Sequence, residues 1–143
     1  MSTTAVPGEA DRSTATKLGL HSGDLVLEIG YDDDCDEDLR AAIEAVTGSA
    51  LLEDDTEEVV DAVLLWWRDD DGDLIDGLVD ALTFLADGGT IWLLTPKAGR
   101  EGHVEPSDIG EAAPTAGLQA TSSVAAAADW SGTRLVSPKS SRR

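Results

Sequence analysis

Two apolar segments of the sequence each end in a cluster of carboxylates, which could bind a cation, a basic protein or a polar ligand. The first segment spans 25–29 and is followed by Tyr31, Asp32, Asp33 and Asp34. The second spans 60–67 and is followed by Arg68, Asp69, Asp71 and Asp73. A third loop, 97–103, is basic and contributes Lys97, Arg100 and His103. We expect all three loops at one edge of a sheet, because the carboxyl ends of parallel strands meet there and bind ligands in α/β folds.

Two interpretations of these loops remain open. In the first, Lys97 and Arg100 form ion pairs with the nearby aspartates and hold the loops together, although such surface pairs are individually weak. In the second, the same residues form a recognition edge for a basic protein partner or a zwitterionic ligand.

Other residue types that support catalysis lack the required spacing. Asp69, Asp71 and Asp73 alternate as in a calcium loop, but the glycine and the bidentate glutamate that such a loop needs at its sixth and twelfth positions are absent. Cys35 and the two histidines do not have the spacing of a zinc site. We therefore predict no catalytic residue, no metal and no cofactor.

Cys35 is the only cysteine of the chain and a candidate redox residue. The surrounding carboxylates disfavour its thiolate, whereas the start of a helix favours it. The sequence leaves open an inert thiol and a redox-responsive regulator.

The charge of the chain restricts its partners. Its 143 residues include 29 acidic and 10 basic ones, for a net charge of -19, and residues 28–80 contain 20 acidic residues against two arginines. The charge argues against direct binding to nucleic acid or to an anionic membrane, because phosphates would be repelled. The charge is consistent with a solvated acidic surface, with association of cations or with a basic protein partner, and the oligomeric state is open. No signal peptide or membrane-spanning segment is evident, so we expect a cytoplasmic location.

Hydrophobic periodicity predicts alternating strands and helices. We expect a flexible arm over 1–16, a single domain over 17–138 and a basic tail over 139–143. The predicted strands are 25–29, 49–52, 62–67, 90–95, 119–125 and 132–137. The predicted helices are 36–46 with Asp36 as N-cap and Gly48 as stop, 74–85, and one capped by Ser107 that ends near 116. This order indicates a three-layer, Rossmann-like α/β sheet, mostly parallel with a C-terminal antiparallel strand pair.

The four tryptophans divide into two groups. Trp66, Trp67 and Trp92 lie on predicted strands and are expected in the core. Because Trp66 and Trp67 are adjacent, they must point to opposite faces, which indicates a central strand covered by helices on both sides. Trp130 falls in the predicted loop between the last two strands and is expected to fold back onto the domain.

Several segments resemble class I S-adenosylmethionine-dependent methyltransferases. They are Val26-Leu-Glu-Ile-Gly30, Val60-Asp-Ala-Val-Leu-Leu65 and Leu85-Ala-Asp-Gly-Gly-Thr-Ile-Trp-Leu-Leu94. The resemblance implies a methyltransferase-like sheet with the cofactor site after the first strand, where that family has a glycine-rich loop. Here only Gly30 is present and aspartates occupy the rest of the loop, so the resemblance is to a degenerate member.

A closer resemblance, carried by the strings at 28–34, 64–73, 92–100 and 104–109, is to a short acidic actinobacterial family known as domain of unknown function 3052. That resemblance implies no activity. We therefore predict a non-catalytic regulatory or protein-interaction domain on a degenerate methyltransferase-like scaffold, with an acidic recognition face. The alternatives are a methyltransferase or small-ligand-binding protein with an atypical loop, and a redox-responsive regulator acting through Cys35.

Overall fold

The computed structural model describes residues 18–53 and 55–137, so the predicted arm and basic tail lie outside the described residues. The strands are β1 (Val26–Ile29), β2 (Val60–Trp66), β3 (Leu85–Pro96), β4 (Gln119–Ala125) and β5 (Trp130–Val136). The helices are α1 (Glu37–Thr47), α2 (Leu74–Leu82) and α3 (Pro106–Thr115). No helix in the described ranges has the length and apolar character needed to cross a bilayer.

The five strands form one sheet in the order β1-β2-β3-β5-β4. β1, β2 and β3 are parallel, and β5 is antiparallel to both of its neighbours. The α/β architecture with a C-terminal antiparallel pair is thereby confirmed, while parallel pairing is limited to the first three strands. The predicted strand 49–52 is reduced to one parallel bridge between Leu52 and Leu27, on the edge of β1 that faces away from β2.

Two of the helices begin at capping aspartates. The Asp36 carboxylate accepts a hydrogen bond from the Leu39 N–H at 2.9 Å, and Gly48 ends α1 in the left-handed conformation, as predicted. Asp73, a candidate site residue, caps α2 by accepting from the Ile75 N–H at 2.9 Å. Its carboxylate therefore has a structural role at the edge of the sheet.

Two predicted helix boundaries are wrong. Ser107 does not cap α3, because Pro106 already occupies the first turn and the N-cap position falls on Glu105. α2 ends at Leu82 rather than Leu85, because Leu85 pairs with Val60 as the first residue of β3. Sheet pairing thus begins three residues after the helix ends.

The helices cover both faces of the sheet. α1 packs with Leu18, Leu20 and the large side chains Trp66 and Trp92 on one face. α2 and α3 cover the opposite face, where they contact alternate residues of the same strands. This arrangement gives the three layers that the sequence predicts.

The tryptophans follow the expectation in part. Trp66 and Trp92 are fully buried, whereas Trp67 is half-buried because it follows the last residue of β2 and lies against α2 at Gly77. Trp130 is buried, as expected, but it starts β5 instead of lying in a loop. Its ring packs edge-to-face on Trp66 with the centroids 4.8 Å apart.

Candidate functional site at the carboxyl edge of the sheet

The carboxyl ends of β1 and β2 form the position where α/β folds usually bind ligands. The chain leaves β1 through α1 toward Leu52 on one side, and it leaves β2 through α2 toward β3 on the other. Because α1 and α2 cover opposite faces, the two strands flank a topological switch point. A crevice outside such a point is the usual ligand site.

Backbone atoms close the base of this crevice. Gly30, the first residue after β1, has φ +86°, and a Cβ built on it would lie 2.4 Å from the carbonyl oxygen of Trp66. The β1 loop therefore leaves no space at this point even for a methyl group.

Arg68 occupies the space above Gly30, and its side chain is only 13% exposed. Its Nη1 donates to the Gly30 carbonyl at 2.9 Å, while Nε and Nη2 donate to the Asp34 carboxylate at 3.0 and 2.5 Å. Nη1 also lies 3.2 Å from Asp71 Oδ2. The hydrogen bonds from Arg68 hold the pKa of Asp34 below its usual value, and those to Asp34 raise the pKa of Arg68. The guanidinium thus joins the two acidic loops.

The β4–β5 hairpin adds Trp130 to Arg68, Asp34 and Asp71, and we call these four residues the Arg68 cluster. The Trp130 indole N–H donates to the Asp34 carbonyl at 3.1 Å. The Arg68 guanidinium lies 5.3 Å from the centre of the Trp130 ring, within cation–π range. Asp34 is therefore held by its side chain and by its backbone.

A second buried arginine lies beneath the first loop. The Glu28 side chain, 7% exposed, accepts from Arg40 Nε at 2.6 Å and Nη2 at 2.8 Å, and from the Trp66 indole at 2.9 Å. The Arg40 guanidinium lies 4.2 Å from the centre of the Tyr31 ring. The hydrogen bond from the Tyr31 hydroxyl to Glu37 raises the pKa of Tyr31 and lowers that of Glu37.

Sequence reasoning did not select Arg40 or Glu28 as site residues. The available signal was that Arg40 and Arg68 are the only two cations among the twenty carboxylates of residues 28–80. Both arginines are largely buried and both hold the loop after β1.

The basic third loop does not neutralise the two acidic ones. Arg100 pairs with Asp129 at 3.2 Å, and Lys97 forms no ion pair with a carboxylate of the described residues. His103 Nδ1 lies 2.8 Å from the Pro96 carbonyl, and its Nε2 lies 3.6 Å from Glu105. The pairing expected of Lys97 and Arg100 is instead made by Arg68, because β2 is adjacent to β1 and β3 lies one strand further away.

Exposed carboxylates surround the Arg68 cluster. Asp32, Asp33, Asp69 and Asp70 are all exposed and make no ion pair within the described part of the chain. Residues 30–38, 68–73 and 97–103 together carry eleven carboxylates and three cations. Since Arg68 and Arg100 are already paired, this edge presents a net negative surface. The structure describes no group of three or more His, Cys, Asp or Glu side chains arranged to hold a metal ion.

Cys35 lies inside the Arg68 cluster and is buried. Its Sγ is 3.4 Å from Arg68 Nη2 and accepts from the Asp32 N–H at 3.3 Å. Burial raises the pKa of the Cys35 thiol to about 11, despite the nearby arginine. The environment is that of an inert thiol rather than of a reactive one.

We expect native Cys35 to react slowly with a thiol reagent and to stay unmodified after mild peroxide treatment. With a pKa of about 11, roughly one thiol in ten thousand is ionised at neutral pH, and the rate should rise with pH up to that pKa. Mass spectrometry of the native protein, with urea-unfolded protein as the control, measures both reactions. Equal rates in the two states, or a sulfenic acid at Cys35, would support the redox alternative.

The fold is similar to that of several solved structures, which include methyltransferases. The pyocyanin biosynthetic protein PhzM aligns with a TM-score of 0.64 at 12% identity, covering 90% of this chain and 55% of that protein. Precorrin-6y C5,15-methyltransferase from Geobacter metallireducens aligns with a TM-score of 0.59 at 13% identity, covering 90% and 87%. Magnesium protoporphyrin IX methyltransferase from Synechocystis, solved with bound SAH, gives 0.56 at 11%, covering 91% and 82%. At these identities the similarity shows the fold alone.

Sequence relatives are found in mycobacteria. The uncharacterized proteins Rv2239c of Mycobacterium tuberculosis (strain H37Rv) and Mb2263c of Mycobacterium bovis are each 55% identical to this chain over 137 residues. Each match covers 96% of this chain and 86% of the relative. The family model described as "Protein of unknown function (DUF3052)" matches residues 15–139. That match covers most of the chain, and the chain belongs to the DUF3052 family.

Proposed function

We propose that this protein is a non-catalytic regulatory or interaction domain whose acidic edge binds a basic surface of another protein. The observation that carries the proposal is the position of Arg68 in the crevice between the carboxyl ends of β1 and β2. The proposal places the protein in the cytoplasm, where its single cysteine would remain reduced.

The residues of the crevice do not fit S-adenosylmethionine. In methyltransferase-like folds the cofactor needs close approach to the backbone after the first strand. Here the Gly30 carbonyl accepts a hydrogen bond from Arg68, and the Arg68 guanidinium occupies the space beside the backbone after β1. The carboxylates of Asp32 and Asp33 in the same loop would repel the carboxylate of the cofactor. We therefore do not propose methyl transfer by this protein.

The same arrangement favours a basic protein as partner. Arg68 and Trp130 hold the acidic loops in one conformation, so little ordering is required when a partner binds. The exposed aspartates on both loops then present negative charge on a fixed surface. Such a surface accelerates association with a positively charged protein and confers specificity, and both effects weaken as salt increases.

The test is affinity capture from an actinobacterial lysate at several salt concentrations, with quantitation by mass spectrometry. The edge variant combines Asp33→Asn, Asp69→Asn and Asp70→Asn, which removes exposed charges and leaves Arg68 with its partners. The control combines Asp55→Asn, Glu57→Gln and Glu58→Gln. These three exposed carboxylates precede the amino end of β2, whereas the acidic edge lies at its carboxyl end. We expect wild type and control to retain the same basic protein at low salt, and the edge variant to lose it.

Two results would contradict the proposal. One is capture that does not depend on salt, or that the two triple variants reduce equally. The other is calorimetric binding of S-adenosylmethionine or S-adenosylhomocysteine to the wild-type protein, accompanied by thermal stabilisation. The second result would favour a methyltransferase with an atypical loop.

A further inference from the structure

The outer edge of β4 is an unpaired strand edge in the described part of the chain. β4 is the outermost strand at one side of the sheet, and it pairs only with β5. Six of its seven residues are exposed. Among the described residues, its outward N–H groups donate no backbone hydrogen bond and its outward C=O groups accept none. An edge of this kind is a template for adding another strand.

The sequence of β4 lacks the charged residues and prolines that usually prevent such pairing, and its pairing with β5 has one irregularity of the bulge type. Proteins protect strand edges with charged side chains, prolines or very short strands. β4 has seven residues, Gln-Ala-Thr-Ser-Ser-Val-Ala, with no charge and no proline. It lies within 112–128, the longest uncharged stretch of the sequence. The only irregularity is a register shift between Ala120 and Ser122.

A second copy of this chain offers the same uncharged strand, so it can occupy the β4 edge without bringing charged side chains of β4 together. Two molecules of net charge -19 repel each other strongly wherever their carboxylates meet. The β4 edge avoids that repulsion because it has no charged residue, and the neighbouring Arg134 of β5 donates to the Thr121 hydroxyl at 3.2 Å. Identical edges also pair antiparallel about a two-fold axis, which makes a closed dimer.

Space beside the strand is compatible with this pairing. A cleft of about 580 Å³ opens between α3 and the β4–β5 hairpin, lined in part by Ile109 and Val124 and by the hydroxyls of Ser122 and Thr133. Apart from His103, the lining has no ionisable side chain, which matches the uncharged composition of β4 itself.

We propose that two copies of this chain associate through antiparallel pairing of β4 with β4, which joins the two sheets into one. The acidic edge between β1 and β2 lies at the other end of the strand order, so the dimer leaves both acidic edges accessible. The inference does not depend on the proposed function.

The first experiment is sedimentation velocity over a range of protein concentrations. The edge variant carries Ser123→Lys and Ala125→Lys on β4, and the control carries Ser49→Lys and Ala50→Lys at exposed positions after α1. Both variants reduce the net charge equally, so a general charge effect would strengthen association in both. We expect wild type and control to dimerise, and the edge variant to dissociate with a Kd raised by about tenfold or more. A dimer that persists in a folded edge variant would overturn the proposal.

Hydrogen exchange on the wild-type protein gives a second measurement that does not depend on the folding of a variant. The amides of 119–125 that point away from β5 should exchange more slowly at a concentration where the dimer forms than at one where it dissociates. A protein that stays monomeric at all concentrations, or a dimer in which these amides exchange at the monomer rate, would also overturn the proposal.

Discussion

Replacing Gly30 with alanine is expected to lower the free energy of unfolding by about 4 kcal/mol, a loss that few single substitutions produce. The added Cβ would lie 2.4 Å from the Trp66 carbonyl oxygen, and the backbone has φ +86°, which a residue with a side chain rarely adopts. Because the obstructing atom belongs to the backbone of β2, no rotation of a side chain relieves the contact. The two strands would have to separate where Arg68 and Trp66 hold them together.

Gly99→Ala is the matched control for this prediction. Gly99 has φ +87°, and a Cβ there has no neighbour within 4 Å, so only the backbone strain of about 1–2 kcal/mol is expected. Urea unfolding followed by tryptophan fluorescence measures both variants. Equal losses for the two alanines would show that β1 and β2 do not approach each other as closely as described.

Arg40→Met is expected to cost about 3 kcal/mol, because it leaves the Glu28 carboxylate buried without its cation. That carboxylate is 7% exposed and would retain only the hydrogen bond from the Trp66 indole at 2.9 Å. Methionine preserves much of the apolar contact that the Arg40 stem makes, so the loss reports mainly on the uncompensated charge. Denaturant unfolding at neutral pH measures the change.

The double variant Glu28→Gln, Arg40→Met separates the charge from the packing. A neutral amide can still accept from Trp66, and the unpaired charge is gone, so we expect the double variant to be more stable than Arg40→Met alone. If both unfold at the same urea concentration, the pair contributes through packing and not through charge compensation.

The sequence allowed the architecture to be predicted because its signals are local. Helical periodicity and the residues Asp36 and Gly48 identify α1 with its cap and stop, and these depend only on neighbours a few positions away. The errors arise where distant residues decide the outcome. Leu85 belongs to β3 because Val60 pairs with it, and nothing within the helical pattern of 74–85 signals that partner.

The candidate edge was predictable to a similar extent. Parallel strands bring the loops after β1 and β2 together, so the gathering of Asp34 and Asp71 follows from topology. Topology alone does not explain why Arg68, and not Lys97 or Arg100, is the cation that joins the two loops. That choice depends on the order of the strands, and on Trp130 being placed under the guanidinium by a hairpin far along the chain.

The hydrogen bond from Trp130 to the Asp34 carbonyl spans 96 positions of the sequence. During synthesis the N-terminal residues leave the ribosome first, so the loop after β1 emerges long before the residue that anchors it. The acidic loop reaches its final form only when β5 has been made and has joined the sheet. A nascent or prematurely terminated chain would have the carboxylates but not their arrangement, so the binding that we propose for this edge requires a chain whose synthesis has passed Trp130.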